Sequence, residues 1–385
     1  MLKGLLAAFF MAGSALIANC QYKVKIQLSA AVMAQQQEDL YAAGSFNGWN
    51  PADKKMVFVK QGDGTGFLEL QLDRGVYEFK ITRGSWDKTE CDEQGGEVPN
   101  RILSIDSDTA IQLNIRGWRD QFTSGSKKST AGRTVHIIDT AFYMPQLGRS
   151  RRIWIYLPEE YEHTRKRYPV LYMHDGQNVF EDSSSYSGEW GVDEALDTLG
   201  AQWGSSIVVA IDNGTYQRLN EYCPYDFDLS GIAANYKSGK GEGKQYVDFI
   251  VKTLMPFIEK QYRVKKGKKN TTIAGSSMGG LISMYAILAY PKVFGTAGVF
   301  SPAFWVGPSI FKDIQQKGHQ VKGRIFFYAG MQEGESMVPN TLKAFEEMKK
   351  VSKAGMTVII RAQGLHNEQR WREEFPGFYQ WEKKK

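Results

Sequence analysis

The chain has 385 residues, 42% of them hydrophobic and 13% aromatic, which excludes a disordered chain and leaves room for two domains. Its net charge of +6 comes from scattered runs such as Arg149 to Arg152, Arg165 to Arg167, Lys265 to Lys269 and the Lys383–Lys385 tail. None of these runs is interleaved with aromatics as a nucleic-acid footprint would be, so no nucleic-acid partner is expected.

The first twenty residues (1–20) read as an export signal. Lys3 supplies a positive start, and the apolar run LLAAFFMAGSALIA is too short for a good spanning helix. Two processing routes stay open. Cleavage near Ala18-Asn19-Cys20 would release a soluble product. Alternatively, Leu16-Ile17-Ala18-Asn19-Cys20 resembles a lipobox, which would leave Cys20 lipidated, although Asn19 departs from the usual small residue. A periplasmic, secreted or lipid-anchored protein is the expectation, touching membrane only through Cys20. No later segment approaches 18 apolar residues in a row.

Residues 21–118 alternate apolar and polar in YKVKIQL, KMVFVKQ, GFLELQL, VYEFKIT and AIQLNIR. Turn signals such as Phe46-Asn47-Gly48 separate them, and about seven short strands predict an all-β, immunoglobulin-like sandwich. Residues 119–132 are small and polar and read as a linker. Over 133–385 the pattern changes. Apolar runs YPVLYMH, SIVVAID, TTIAG, TAGVFSP, RIFFYAG and MTVIIRA alternate with helical stretches, which predicts a mostly parallel sheet with helices on both faces. The Gly-rich stretch from Asn213 to Gly243 lacks periodicity and is a candidate substrate loop. Cys91 and Cys223 are read as buried thiols, and no Cys/His spacing suggests a metal. No cofactor is implied.

The run TTIAGSSMGG (271–280) carries the chemistry. A strand leads into Gly275-Ser276-Ser277-Met278-Gly279 and then a buried helix. In that context G-x-S-x-G is a nucleophile elbow. The sharp turn points the Ser277 hydroxyl out of the sheet, and the helix N-terminus offers N–H groups to a developing oxyanion, Met278 first. A serine needs a base, and the base needs an orienting acid. Among five His, His366 follows the last expected strand, where the order Ser, acid, His places the base. The acid should follow RIFFYAG, where Glu333 and Glu335 both qualify; the spacing favours Glu333. His174-Asp175 taken alone could also be read as a base with its orienter.

Residues 133–385 resemble the Putative esterase family of α/β-hydrolases, whose members include feruloyl and acetylxylan esterases, S-formylglutathione hydrolase and siderophore trilactone esterases. The resemblance rests on YMHDGQNVF, SGEWGVDEAL, AIDNGTYQRLNEYCP, AGSSMGG, GVFSPAFW and GLHNEQRW. It implies an α/β-hydrolase fold, a triad of Ser277, an acid after the penultimate strand and His366, Gln177 as second oxyanion donor, and a structural His174. Trp190, Arg218, Glu221, Tyr222 and Trp305 fall in these segments, and an Arg218–Glu221 pair is expected to hold the loop. LYAAGSFNGWNP, YEFKITRGSW and GEVPNR resemble the starch- and glycogen-binding modules of families 20 and 48. That likeness implies sugar stacking on Trp49 and Trp86, with Lys80 and Asn100 bonding hydroxyls. The expectation is an exported serine esterase acting on acyl esters of carbohydrate, feruloyl or acetyl. A siderophore trilactone is the alternative substrate, and a non-catalytic glycan-binding surface protein is the alternative of another class.

Overall fold

The computed structural model describes residues 21–34, 38–93, 95, 98, 100–122, 129–185, 188–229 and 238–384. The expected export signal, Cys20, part of the linker, part of GEVPNR and part of the Asn213–Gly243 loop lie outside the described residues. The chain divides into two compact units, the boundary falling between Phe122 and Thr123.

The first unit is β-rich. Strands β1 (Tyr22–Leu28), β3 (Val59–Lys60), β4 (Gly66–Leu72) and β8 (Thr109–Leu113) form a sheet of order β3-β4-β1-β8. Strands β2 (Tyr41–Gly44), β5 (Gly75–Thr82) and β7 (Arg101–Ile105) form a second, and β6 (Glu90–Cys91) pairs with β9 (Gly117–Trp118). The period-2 alternation does the work. Val24 and Ile26 of β1 stand opposite Leu70 and Leu68 of β4, and with Leu28 and Leu72 they share one core cluster with Tyr77, Phe79 and Ile81 of β5. A one-residue slip would turn these side chains to water. One pairing, β1 with β8, is parallel.

The second unit is built on an eight-stranded sheet. In chain order its strands are β10 (Val135–Met144), β11 (Arg149–Tyr156), β12 (Val170–His174), β13 (Ile207–Ile211), β14 (Thr271–Ser276), β15 (Thr296–Phe300), β16 (Arg324–Gly330) and β17 (Gly355–Arg361). Their spatial order is β10-β11-β13-β12-β14-β15-β16-β17. The pairings of β10 and β11 are antiparallel; from β13 through β17 every pairing is parallel. The central strands are buried along their whole length, as strands covered on both faces must be, and this explains their unbroken apolar runs. The β10–β11 hairpin escaped the sequence reading because β10 is an exposed edge strand whose pairing shifts register twice, which breaks the period-2 alternation.

Two stretches behave differently from expectation. The described part of the linker is tied down: Asp120 pairs with Arg83 in the first unit, and Gly132 N–H donates to Asp193 Oδ2 (2.7 Å) in the second. The Asn213–Gly243 stretch contains a short helix, α1 (Arg218–Tyr222), anchored by the Glu221 carboxylate, which accepts from Arg149 (2.9 Å) and Arg151 (2.6 Å). Cys91 and Cys223 are both free and buried, and burial pushes the Cys223 thiol up to about 11. Among the described residues no helix is long and apolar enough to cross a membrane.

Candidate active site

Ser277 stands between β14 and helix α2 (Met278–Ala289), with φ 58° and ψ −119°. A non-glycine residue there is strained by roughly 1–3 kcal/mol and must be held by its surroundings. The holding bonds are present. Ser277 N–H donates to the Phe300 carbonyl (2.9 Å), and its own carbonyl accepts from Leu281 (3.1 Å) and Ala303 (3.0 Å). A Cβ on Gly275 would lie 2.9 Å from His174 Cδ2 on β12 and 3.1 Å from the Gly279 backbone in the helix, so both neighbours close only around glycine. The Ser277 side chain does not cap its own helix. Met278, the first residue of α2, has a backbone N–H with no intrahelical partner by position.

His366 and Glu333 are brought together. His366 Nδ1 and Glu333 Oε2 are 2.8 Å apart. Glu333 follows β16, its side chain fully buried, while the His366 side chain keeps 38% of its surface exposed. The other carboxylate oxygen is saturated: Glu333 Oε1 accepts from Ser301 Oγ (2.9 Å) and Gly330 N–H (2.6 Å). Ser301 Oγ in turn accepts from Trp371 Nε1 (2.9 Å), and the His366 ring meets Trp371 edge-on at 5.1 Å. Glu333 therefore has one oxygen left, and it faces His366. With the carboxylate ionised, Nδ1 carries the proton and Nε2 is the free acceptor. Glu335 is exposed. Ser277, Ser301, Glu333 and His366 follow β14, β15, β16 and β17, four adjacent strands, so parallel topology brings their loops to one sheet edge. No direct Ser277–His366 hydrogen bond forms among the described residues.

Gln177 lies in the turn Gly176–Asn178 after β12. Its side-chain Oε1 accepts from Asn213 N–H (3.1 Å). His174 is buried, with Nδ1 3.0 Å from the Tyr246 hydroxyl, and burial pushes its pKa down to about 3. Asp175 does not orient it. Asp175 takes Arg218 in a fork, Oδ1 to Nε at 2.6 Å and Oδ2 to Nη2 at 2.9 Å. The reading of His174-Asp175 as base and orienter is thereby corrected. So is the expected Arg218–Glu221 pair: each is committed to another partner. Trp190 is buried, stacked on Trp371 at 5.7 Å, and Trp305 is half-buried. Ser301 and Glu368 were missed. Ser301 is one serine in GVFSP, and Glu368 looks like an ordinary helix-start acid; only the fold reveals their partners.

In the first unit Trp49 and Trp86 come together, ring centroids 6.2 Å apart and tilted by 39°, both half-buried. Lys80 keeps only 3% of its surface, and Asn100 Nδ2 donates to Glu78 Oε2 (3.0 Å). Lys80 lies on β5 opposite Ala43, where neighbouring segments cover it rather than leaving it open. Among the described residues, no group of three or more His, Cys, Asp or Glu side chains is arranged to hold a metal.

Comparison with known proteins adds four findings. The family model described as Putative esterase matches residues 145–382, more than half of the chain. The endo-1,4-beta-xylanase/feruloyl esterase of Xylanibacter ruminicola is 28% identical over 254 residues, 65% of this chain and 30% of that protein. An alpha-amylase of Niallia circulans is 34% identical over 84 residues, 21% of this chain and 6% of the amylase. Among solved structures, the enterobactin esterase FES from Shigella flexneri superposes with a TM-score of 0.52 at 16% identity, covering 90% of this chain and 88% of that one, a likeness of fold. The chain belongs to the Putative esterase family: it is a carboxylic ester hydrolase of α/β-hydrolase fold.

Proposed function

We propose that this hydrolase works through an acyl-enzyme on Ser277. His366 Nε2 takes the hydroxyl proton as Ser277 attacks the ester carbonyl, then returns it to the leaving alcohol. Water, deprotonated by His366, later releases the acid. Glu333 holds the imidazole tautomer and stabilises the imidazolium. The N–H groups of Met278 and Gln177 receive the oxyanion. The observation that carries the reading is the 2.8 Å Glu333–His366 bond, made by a carboxylate whose other oxygen is fully occupied. A Ser277–His366 hydrogen bond is expected to form when substrate binds, as catalytic bonds that are open in empty sites often close in the complex.

The substrate class proposed is an acyl ester of carbohydrate, feruloyl or acetyl. The likeness to a protein that joins xylanase and feruloyl esterase activities supports it. The proximity of the Trp49 and Trp86 rings supports it too. We read the first unit as an immunoglobulin-like sandwich in which the rings of Trp49 and Trp86 receive a glycan, Asn100 orients it, and Lys80 joins only if it moves outward. Residues 1–20 are proposed to direct export, by cleavage or by lipidation of Cys20. The test is a panel of methyl ferulate, acetylated xylan, nitrophenyl acetate and a catecholate trilactone, each run with wild type and Ser277→Ala. Highest kcat/KM on methyl ferulate or acetylated xylan supports the reading; highest on the trilactone replaces it with the siderophore alternative. Separately, the wild-type chain should be retarded on a glucan or xylan gel, and Trp49→Ala/Trp86→Ala should run freely. No retardation of wild type would remove the platform.

A further inference from the structure

Two segments far apart in sequence hold the turn that carries Gln177. Asp175 adopts a left-handed conformation, φ 57°, which an L-residue keeps only when its surroundings fix it. The fixing contacts come almost entirely from the stretch after β13. Arg218 grips both carboxylate oxygens, Asn213 Nδ2 donates to Oδ1 (2.8 Å), and Asp175 N–H donates to the Tyr222 hydroxyl (3.1 Å). Gly176 then lies so close to the end of β13 that a Cβ would stand 2.8 Å from Asp212 N. Asn213 N–H also donates to Gln177 Oε1 (3.1 Å), which ties the Gln177 side chain to the end of β13. At the far end of the turn, Asn178 Nδ2 donates to Glu368 Oε1 (3.0 Å), two residues beyond His366.

We infer that the Arg218–Asp175 ion pair is the device that sets this oxyanion turn, which makes both residues positioning residues for acyl transfer. The inference rests on the proposed role of Gln177. Asp175 is buried and Arg218 half-buried; an ion pair taken out of water adds little stability over apolar packing of similar volume, so stability alone does not explain one here. A bidentate fork does fix orientation, and a shift of about 1 Å in an oxyanion donor is enough to cost roughly 100-fold in rate. Burial would raise the Asp175 carboxyl, but Arg218 outweighs it and holds the group below the usual carboxylate range. The fork therefore stays charged and closed where the enzyme works.

Arg218→Lys keeps the charge and loses the fork. It is expected to lower kcat by about 10–100-fold with KM within about threefold. The affinity for phenylboronic acid, which forms a tetrahedral serine adduct, should fall by the same factor, with the melting temperature little changed. Asp175→Asn should behave alike. The double variant Asp175→Asn/Arg218→Met removes both charges and should be no worse than either single change, because the pair acts as a unit. It also supplies the same readout if a single variant fails to fold. Wild-type kcat in these variants, or a raised KM at unchanged kcat, overturns the inference. Ser277→Ala run beside them separates the two levels. If it retains hydrolysis, the nucleophile reading falls and takes this inference with it; if it is dead while Arg218→Lys is fully active, only the ion-pair device falls.

Discussion

His174 ends strand β12 and His366 follows strand β17, so both lie at the carboxyl edge of the same eight-stranded sheet, and each has a carboxylate close by. His174 is buried against Tyr222 and Tyr246, and burial drives its pKa to about 3, so it stays neutral in any ordinary buffer. Its sequence neighbour Asp175 is spent on Arg218. His366 keeps a third of its side chain open, and its carboxylate arrives from 33 residues away. Adjacency in sequence thus says less about a His–acid pair than delivery from neighbouring parallel strands.

Removing each histidine breaks or confirms this contrast most strongly. His366→Ala should lower kcat on nitrophenyl acetate by about 10⁴-fold or more, while His174→Gln should stay within about tenfold of wild type. Equal defects would erase the distinction. The acids sharpen it next. Glu333→Gln should cost about 10²–10⁴ in kcat by leaving His366 in the wrong tautomer, and Glu335→Gln should change it less than about threefold. The reverse order would hand the role to Glu335.

A pH series follows. His174 has a folded pKa of about 3 against an ordinary value near 6.5, so between these the unfolded chain binds a proton that the native one does not. Its contribution is whole above pH 6.5 and is lost as pH falls toward 3, with a slope of up to about 1.4 kcal/mol per pH unit. Asp193 runs the other way: burial lifts it to about 8, so its contribution fades as pH rises from about 4 to 8. Comparing urea denaturation of wild type and His174→Gln cancels the Asp193 effect, and the variant should lose stability less steeply on acidification. The smallest expected change is Tyr246→Phe, about 1 kcal/mol of stability from the lost His174 bond, with kcat unaltered.

The elbow was legible because three local signals agreed: a buried strand, glycines at the closest approach, and an apolar helix. His366 was legible from chain order, and Glu333 from its distance past an apolar strand. The partners of charged residues were not. Arg218 and Glu221 sit three apart on one short helix, yet one reaches Asp175 and the other Arg149 and Arg151, because β11 and β12 lie on different sides of that helix's attachment. Lys80, expected to bond sugar hydroxyls, is covered by tertiary neighbours that the local pattern does not encode. Ser301, which fills the last site on Glu333, carries no sequence mark beyond being a serine.

The central claim is that Ser277 is the nucleophile and His366 its base. Incubation with a fluorophosphonate, followed by peptide mass spectrometry, tests it most directly. A single adduct on the peptide holding Ser277, absent in Ser277→Ala and greatly slowed in His366→Ala, is the predicted result. An adduct on another residue, or undiminished labelling of Ser277→Ala, would contradict the account.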